Sequence, residues 1–504
     1  MPQAKADAFE AYIGNLPQAE AAAAARFFED FEGHCLLTRE EKQRLRADFE
    51  QAILYYISVG LSLREALERL KIENLGGFYS RPPVAWYALD DAAKIYPLSM
   101  QRGYMAVFRL SAYMKAPVVR ELLQMALNFT IKRFPGFAVT VKKGFFWHYL
   151  DSAKRRYSVE KEETIPCQPL RIAFSGSTAF RVIYYQNRIS IEYFHVLTDG
   201  TGGMVFFKAL VAEYLRLLGT HCESQEIPDV NKPPLVEEFF NEFERVEAGS
   251  HSGAGGFADK PAVQMSGCLA QNKPCRIVHF KMDACQLKEA AKRRGVTVTA
   301  YMLFKMFLAG KYATDEYDGE MNMQVPVNMR KYYPSKTIRN FSMYCGVRFP
   351  LSEIADTPEF LQKISEQLVQ KASKENMQNM LASTSFLVKA LRYVPLSVKM
   401  PAAKLVYGFL GDRIFSSTLS NLGTVTMPSE LSSQIDSMDF VLGPAISNRA
   451  NCALVTFGQT ATLSVTKMTA DPSFEEAVYH LLRQDGINPV MEGSPLYGNK
   501  ANIS

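Results

Sequence analysis

Helical and strand-like spacings of apolar residues follow one another along the chain, and their order divides it. Up to about residue 75 the pattern is helical. Residues 20–31 are rich in alanine, the strongest helix former. Thr38-Arg-Glu-Glu41 and Ser62-Leu-Arg-Glu65 read as capping boxes that open two further helices. Gly76-Gly77 and Pro82-Pro83 punctuate the end of this run. Residues 1–80 are therefore expected to form a helical extension packed as a cap on the main body.

From residue 86 the pattern mixes helices and strands. Residues 104–110 read as a strand. Residues 117–133 carry apolar side chains at helical spacing, and Pro135-Gly136 breaks them. Strands are expected over 137–141 and 145–150. A hairpin is expected over 181–195, turning at Gln186-Asn187-Arg188. A helix over 204–218 completes a first lobe, residues 86–235. Three prolines, a short acidic helix over 236–246 and the stretch Gly249-Ser-His-Ser-Gly-Ala-Gly-Gly256 suggest a flexible inter-lobe linker over 236–275. The second lobe, 276–490, repeats the mixed grammar. Its strands are expected over 276–282, 322–328, 341–349, 438–442, 453–457 and 462–466. Helices are expected over 283–294, 299–312 and 357–373, with a last one opening at Asp471-Pro472. The fold class is α/β (α+β), two lobes each built as a mixed sheet flanked by helices.

Composition narrows the function. Of 504 residues, 47% are hydrophobic and 22% charged, an ordinary globular balance. A net charge of +5 spread over this length lacks the concentrated basic face of a nucleic-acid binder, so no nucleic acid is expected. Eight scattered cysteines form no C-x-x-C pair and read as reduced thiols. The N-terminal Met1-Pro-Gln-Ala-Lys5 lacks the basic-then-apolar order of a signal peptide, and no membrane span is evident; a cytoplasmic monomer is the expectation. The histidines show no metal spacing, and no phosphate loop or dinucleotide fingerprint occurs.

The sharpest chemical feature is His195-Val-Leu-Thr-Asp199-Gly200, followed by Thr201-Gly-Gly203. A strand-like run ends at His195, a glycine-rich turn follows, and then a helix. Such a reversal presents a side chain at the end of a sheet, where catalytic residues often sit. A neutral imidazole takes a proton from a hydroxyl near physiological pH. Asp199 suits an orienting role, folding back to pin the loop by pairing with an arginine. Gly200 permits backbone angles closed to other residues. These letters alone recur by chance in roughly one chain in twenty-five of this length, so their context carries the weight.

That context resembles the superfamily of CoA-dependent acyltransferases, which includes chloramphenicol acetyltransferase, plant BAHD-type enzymes, wax ester synthases and peptide-synthetase condensation domains. The likeness is greatest to bacterial alcohol acetyltransferase-like proteins. It spans roughly residues 90–490 and rests on four pieces. These are Phe194-His195 through Gly203, Val325-Pro-Val-Asn-Met-Arg330, Arg339-Asn-Phe-Ser-Met-Tyr-Cys345 and Leu419-Ser-Asn-Leu-Gly-Thr-Val425. The resemblance implies a pseudo-dimer of lobes with a tunnel between them and His195 midway along it. It implies an acyl-CoA co-substrate, no permanently bound cofactor, and a hydroxyl acceptor deprotonated by His195. Thr418, Ser420 and Asn421 are the candidate oxyanion donors, and Arg330 the candidate partner of Asp199. Phe194 replaces the first histidine of the doubled pair found in condensation domains, and no plant-type Asp-Phe-Gly-Trp-Gly occurs. An amine acceptor, a carrier-protein donor, and a non-catalytic binding protein of the same fold stay open.

One more feature is a charge asymmetry. No Asp or Glu occurs from Asn376 to Gly411, while Lys389, Arg392, Lys399 and Lys404 punctuate an apolar run that includes Leu387, Leu391, Leu405 and Phe409. An ordinary helix pair with its lysines in solvent accounts for this pattern, and peripheral contact with a membrane surface or with CoA phosphates is the functional alternative.

Overall fold

The computed structural model describes residues 2–80, 86–94, 96–97, 104–153, 155–170, 178–222, 224–246, 260–401, 411–446 and 448–497. Among them, no helix is long and apolar enough to cross a membrane. The N-terminal helices run Pro2–Gly14, Gln18–His34, Arg39–Ser58 and Leu63–Arg69. Thr38 caps the third by accepting from Glu41 N, and Ser62 with Glu65 closes a reciprocal capping box on the fourth. Their apolar face is aromatic. Phe31 meets Phe49 edge-on, and Phe49 meets Phe129 of the helix Arg120–Thr130. Around this seam the buried Asp48 carboxylate accepts from Arg156 at 2.6 Å and from Asn128 at 3.0 Å. The Tyr56 hydroxyl donates to Leu217 O at 2.8 Å. The extension is thus continuous with the first lobe's hydrophobic core.

The first lobe has two sheets. A small one is ordered β1 (Trp86–Ala88), β4 (His148–Ser152), β3 (Val139–Lys143). The main one is ordered β12 (Ile435–Leu442), β2 (Val107–Met114), β7 (Arg188–Phe194), β6 (Phe180–Tyr185), β5 (Val159–Lys161). Strand alternation splits the main sheet's faces. Phe108 and Leu110 on β2 stand opposite Tyr193 and Ile191 on β7, on the face covered by the helix Gly200–Leu218. The other face is polar and buried. There Arg109 reaches Glu192 at 3.4 Å and Ser190 at 2.8 Å, and Arg181 binds Glu192 at 2.8 Å.

The second lobe is a seven-stranded sheet ordered β10 (Ser342–Pro350), β9 (Glu320–Asn328), β11 (Ser417–Val425), β13 (Ala450–Phe457), β14 (Thr460–Lys467), β8 (Arg276–Asp283), β15 (Val490–Gly493). β11 runs parallel to both its neighbours; the other pairs are antiparallel. β13 lends Ala453, Val455 and Phe457 to the first lobe's core, and Cys452 and Leu454 to the second's. The two lobes therefore share a seam.

Three sequence expectations change here. β12, expected in the second lobe, hydrogen-bonds along β2 and completes the first lobe's sheet. The acidic helix expected over 236–246 is two short 3-10 turns, Val236–Phe239 and Glu242–Glu244, because Glu238 turns inward to a two-pronged pair with Arg133 at 2.6 and 2.7 Å. The described end of the proposed linker, from residue 260, is docked: Ala262 N donates to Arg413 O, Val263 N to Glu320 O, and Ala262, Val263 and Met265 are buried. Its glycine-rich part, 247–259, lies outside the described residues.

Candidate active site

His195 follows the last residue of β7, and its backbone N donates to Ala106 O at 2.8 Å. Its ring stacks on Tyr96 at 4.8 Å between centroids and meets Phe108 edge-on at 5.3 Å. The residue as a whole keeps partial exposure, while its Nδ1 is fully buried and has no hydrogen-bond partner beyond its own backbone carbonyl. Burial pushes the imidazole below its ordinary pKa of 6.5, against smaller upward pulls from that carbonyl and from Asp199. The ring is thus held neutral, the form a proton acceptor needs.

Asp199 caps the helix Gly200–Leu218, with Oδ1 accepting from Gly202 N at 2.9 Å. Its Oδ2 accepts from Arg330 Nη1 at 2.7 Å and from Phe341 N at 2.7 Å. Arg330, just past the end of β9, also donates to the carbonyls of Thr337 and Arg339 at 2.9 and 2.8 Å. One carboxylate therefore ties the His195 loop to the second lobe. Two other arginines of this lobe, Arg339 and Arg348, are engaged elsewhere, Arg339 with Ala88 O at 2.7 Å and Arg348 with Glu320 at 3.2 Å.

The glycines let this loop be dense. A Cβ at Gly202 would stand 2.2 Å from Ile338 O, and one at Gly200 would stand 2.6 Å from Leu422 Cδ2. Leu422 belongs to β11, whose register slips between Asn421 and Thr424 with Gly423 at φ +73°. That bulge brings the second lobe's strand against the His195 loop.

The expected oxyanion donors do not act alike. Thr418 and Ser420 share one face of β11, and Asn421 lies on the other. The Thr418 hydroxyl donates to Gln324 Oε1 at 3.0 Å. Asn421 is occupied twice, donating to Thr299 Oγ1 at 3.0 Å and accepting from Gly423 N at 2.8 Å. Among the described residues, only Ser420 of the three takes no side-chain partner. Lys404, Leu405 and Phe409 of the basic run lie outside the described residues.

Sequence reasoning missed Tyr96 and Asn340. The Tyr96 hydroxyl hydrogen-bonds Asn340, and burial raises its pKa so that it stays protonated. Asn340 Nδ2 also reaches His195 O at 3.5 Å. Asn340 stood inside a quoted motif, whereas Tyr96 carried no signal of spacing. Two cavities stand out among the described residues. One of about 10 Å³, between Phe137, Leu197, Phe239 and Ile338, has room for about one water; the other, about 150 Å³, lies beside Glu162, Arg181 and Glu192. His195 lines neither, so they do not outline the implied tunnel. No three His, Cys, Asp or Glu among the described residues are grouped to hold a metal ion.

No protein-family model matches the chain, and no curated protein matches it by sequence. Solved structures do match its shape. The trichothecene 15-O-acetyltransferase TRI3 of Fusarium sporotrichioides is 13% identical with a TM-score of 0.53, over 78% of this chain and 93% of its own. TRI101 of F. sporotrichioides, solved with coenzyme A and T-2, is 11% identical with a TM-score of 0.55, over 78% and 97%. This is the two-lobed fold of the CoA-dependent acyltransferases and condensation domains. The first condensation domain of the calcium-dependent antibiotic synthetase fits the same fold at 12% identity and TM-score 0.54, over 81% of this chain and 99% of its own. About a fifth of the present chain lies outside each likeness.

Proposed function

We propose that the chain is an acyl-CoA-dependent O-acyltransferase, moving an acyl group, acetyl in the first instance, to an alcohol with His195 as general base. The observation that carries this reading is an imidazole at a sheet end, its pKa lowered by burial, in a loop pinned across the lobe boundary by Asp199 and Arg330. The buried Nδ1 leaves Nε2 as the proton acceptor. In the reaction, the acceptor hydroxyl gives its proton to Nε2 and its oxygen bonds to the thioester carbonyl carbon. The oxyanion that forms collapses, the C–S bond breaks, and the proton returns to the CoA thiolate. Ser420, with its hydroxyl uncommitted, is the favoured oxyanion donor of the three. The CoA-bound state of one structural neighbour supports a CoA donor.

A second reading, transfer from a carrier protein or onto an amine, draws on the comparable likeness to a condensation domain. A panel of acyl-CoAs offered with pooled alcohols and amines, followed by thiol release, separates the two. Thioester consumption at an unchanged rate in His195→Ala would sink the mechanism. Binding of CoA without consumption of any thioester would favour a non-catalytic protein of this fold.

A further inference from the structure

The hairpin between β3 and β4 and the chain after the helix Lys374–Ala390 meet in one exposed aromatic face. Phe145 is 71% exposed and Phe146 37%, at the hairpin tip; Tyr393 is 73% exposed. Leu396 N donates to Phe145 O at 2.8 Å, and the Phe146 and Tyr393 rings meet edge-on at 6.2 Å. Trp86, 65% exposed, packs on Tyr149 along β4, behind the tip. Phe386, on that helix, and Val398, after it, are exposed as well. Beneath it the structure is firm. The buried Lys399 ammonium sits 3.3 Å from the Trp147 ring centroid, a cation–π contact that clamps the chain after the helix to the hairpin. Large rings held out in water on an ordered base mark a contact surface.

Charge selects the partner. Lys143 is exposed on the hairpin, Lys389 at the end of the helix and Arg392 just after it, and no carboxylate occurs from Asn376 to Gly411. Two acids beside these segments are tied, Asp151 of β4 to Lys142, and Asp91 to Lys94 at 2.7 Å and to Ser385 of the helix at 3.0 Å. An aromatic face rimmed by cations complements a bilayer with anionic headgroups, where rings settle at headgroup depth and lysine and arginine meet phosphates. Two copies of this face would bring like charges together. We propose that this face docks the protein on anionic phospholipid membranes as a peripheral protein.

The test is sedimentation of the full chain with vesicles of phosphatidylcholine alone and of phosphatidylcholine mixed with phosphatidylglycerol. Binding is expected to the mixed vesicles and to weaken with salt. Phe145→Ser combined with Tyr393→Ser should lower partitioning at least about tenfold, and Lys389→Glu with Arg392→Glu should lower it for the mixed vesicles. Circular dichroism and melting temperature should not change, because these side chains are exposed. A wild-type chain that stays in the supernatant with both vesicles overturns the proposal. So does a Phe145/Tyr393 variant that binds as well as wild type. If the wild type proves dimeric and that variant monomeric, with no difference toward vesicles, the face is a contact between copies and the membrane proposal fails.

Discussion

Arg330 Nη1 stands 2.7 Å from Asp199 Oδ2, joining the first lobe's loop to a turn of the second in a pair that is almost fully buried. Asp199→Ala leaves the guanidinium without its charge partner and removes acceptors from Gly202 N and Phe341 N. Urea unfolding should show a loss of about 3–5 kcal/mol. Asp199→Asn keeps the shape and should cost less stability. It should still lower kcat/KM by tenfold or more on the order expected of a slightly misplaced catalytic group. Equal losses in both variants would argue for a purely structural carboxylate.

His195→Ala should lower acyl transfer by about 10²–10⁴-fold, the usual weight of a general base. The melting temperature should fall only modestly, since the change loses ring contacts with Tyr96 and Phe108 but leaves no side-chain hydrogen-bond partner unpaired. In wild type, the acidic limb of the kcat/KM–pH profile should fall below the ordinary imidazole value of 6.5, because burial disfavours the charged ring. A limb above that value would contradict the desolvated base.

Gly202→Ala and Gly200→Ala should differ, although both add one methyl. At Gly202 the methyl meets a backbone carbonyl 2.2 Å away that cannot yield. A loss of about 1–3 kcal/mol is expected. At Gly200 it meets the tip of Leu422, which can rotate, so the loss should be smaller. Thermal melts of the two variants decide this.

His148, buried on β4, is pushed down to about 4 by burial, with Lys143 adding to the effect. Its folded value lies below its unfolded value, so the unfolded chain binds the proton more readily. Its contribution is intact above about pH 6.5 and is lost progressively as pH falls toward about 4, up to about 3 kcal/mol in all. His148→Gln should flatten the fall in stability over that window. Chemical denaturation of both proteins at neutral pH and near pH 5 makes the comparison.

Much of this fold was legible from periodicity. The capping residues Thr38, Ser62 and Asp283 each sit where the helix they open begins, because capping is local chemistry written in adjacent letters. The hairpin ending at His195 was legible for the same reason. What stayed hidden is set by distance in sequence. The edge strand β12 has the alternation of any strand, and nothing in its letters says that its partner is β2. β1 and β5 are three residues each, too short to show a period. At the site, motif residues were readable, but the stack of Tyr96 on His195 joins positions that share no spacing rule. The division of labour among Thr418, Ser420 and Asn421 depends on which neighbours each side chain finds, which is a property of packing.

The crossing of β12 has a consequence for biosynthesis. Until residue 442 has left the ribosome, β2 remains an open edge, with a row of unsatisfied amide and carbonyl groups. The amino-terminal half cannot finish its sheet until a segment made hundreds of residues later has emerged. Nascent or prematurely terminated chains of this protein should therefore be clients for chaperones, and the gene cannot be cut between the lobes to give two self-sufficient pieces.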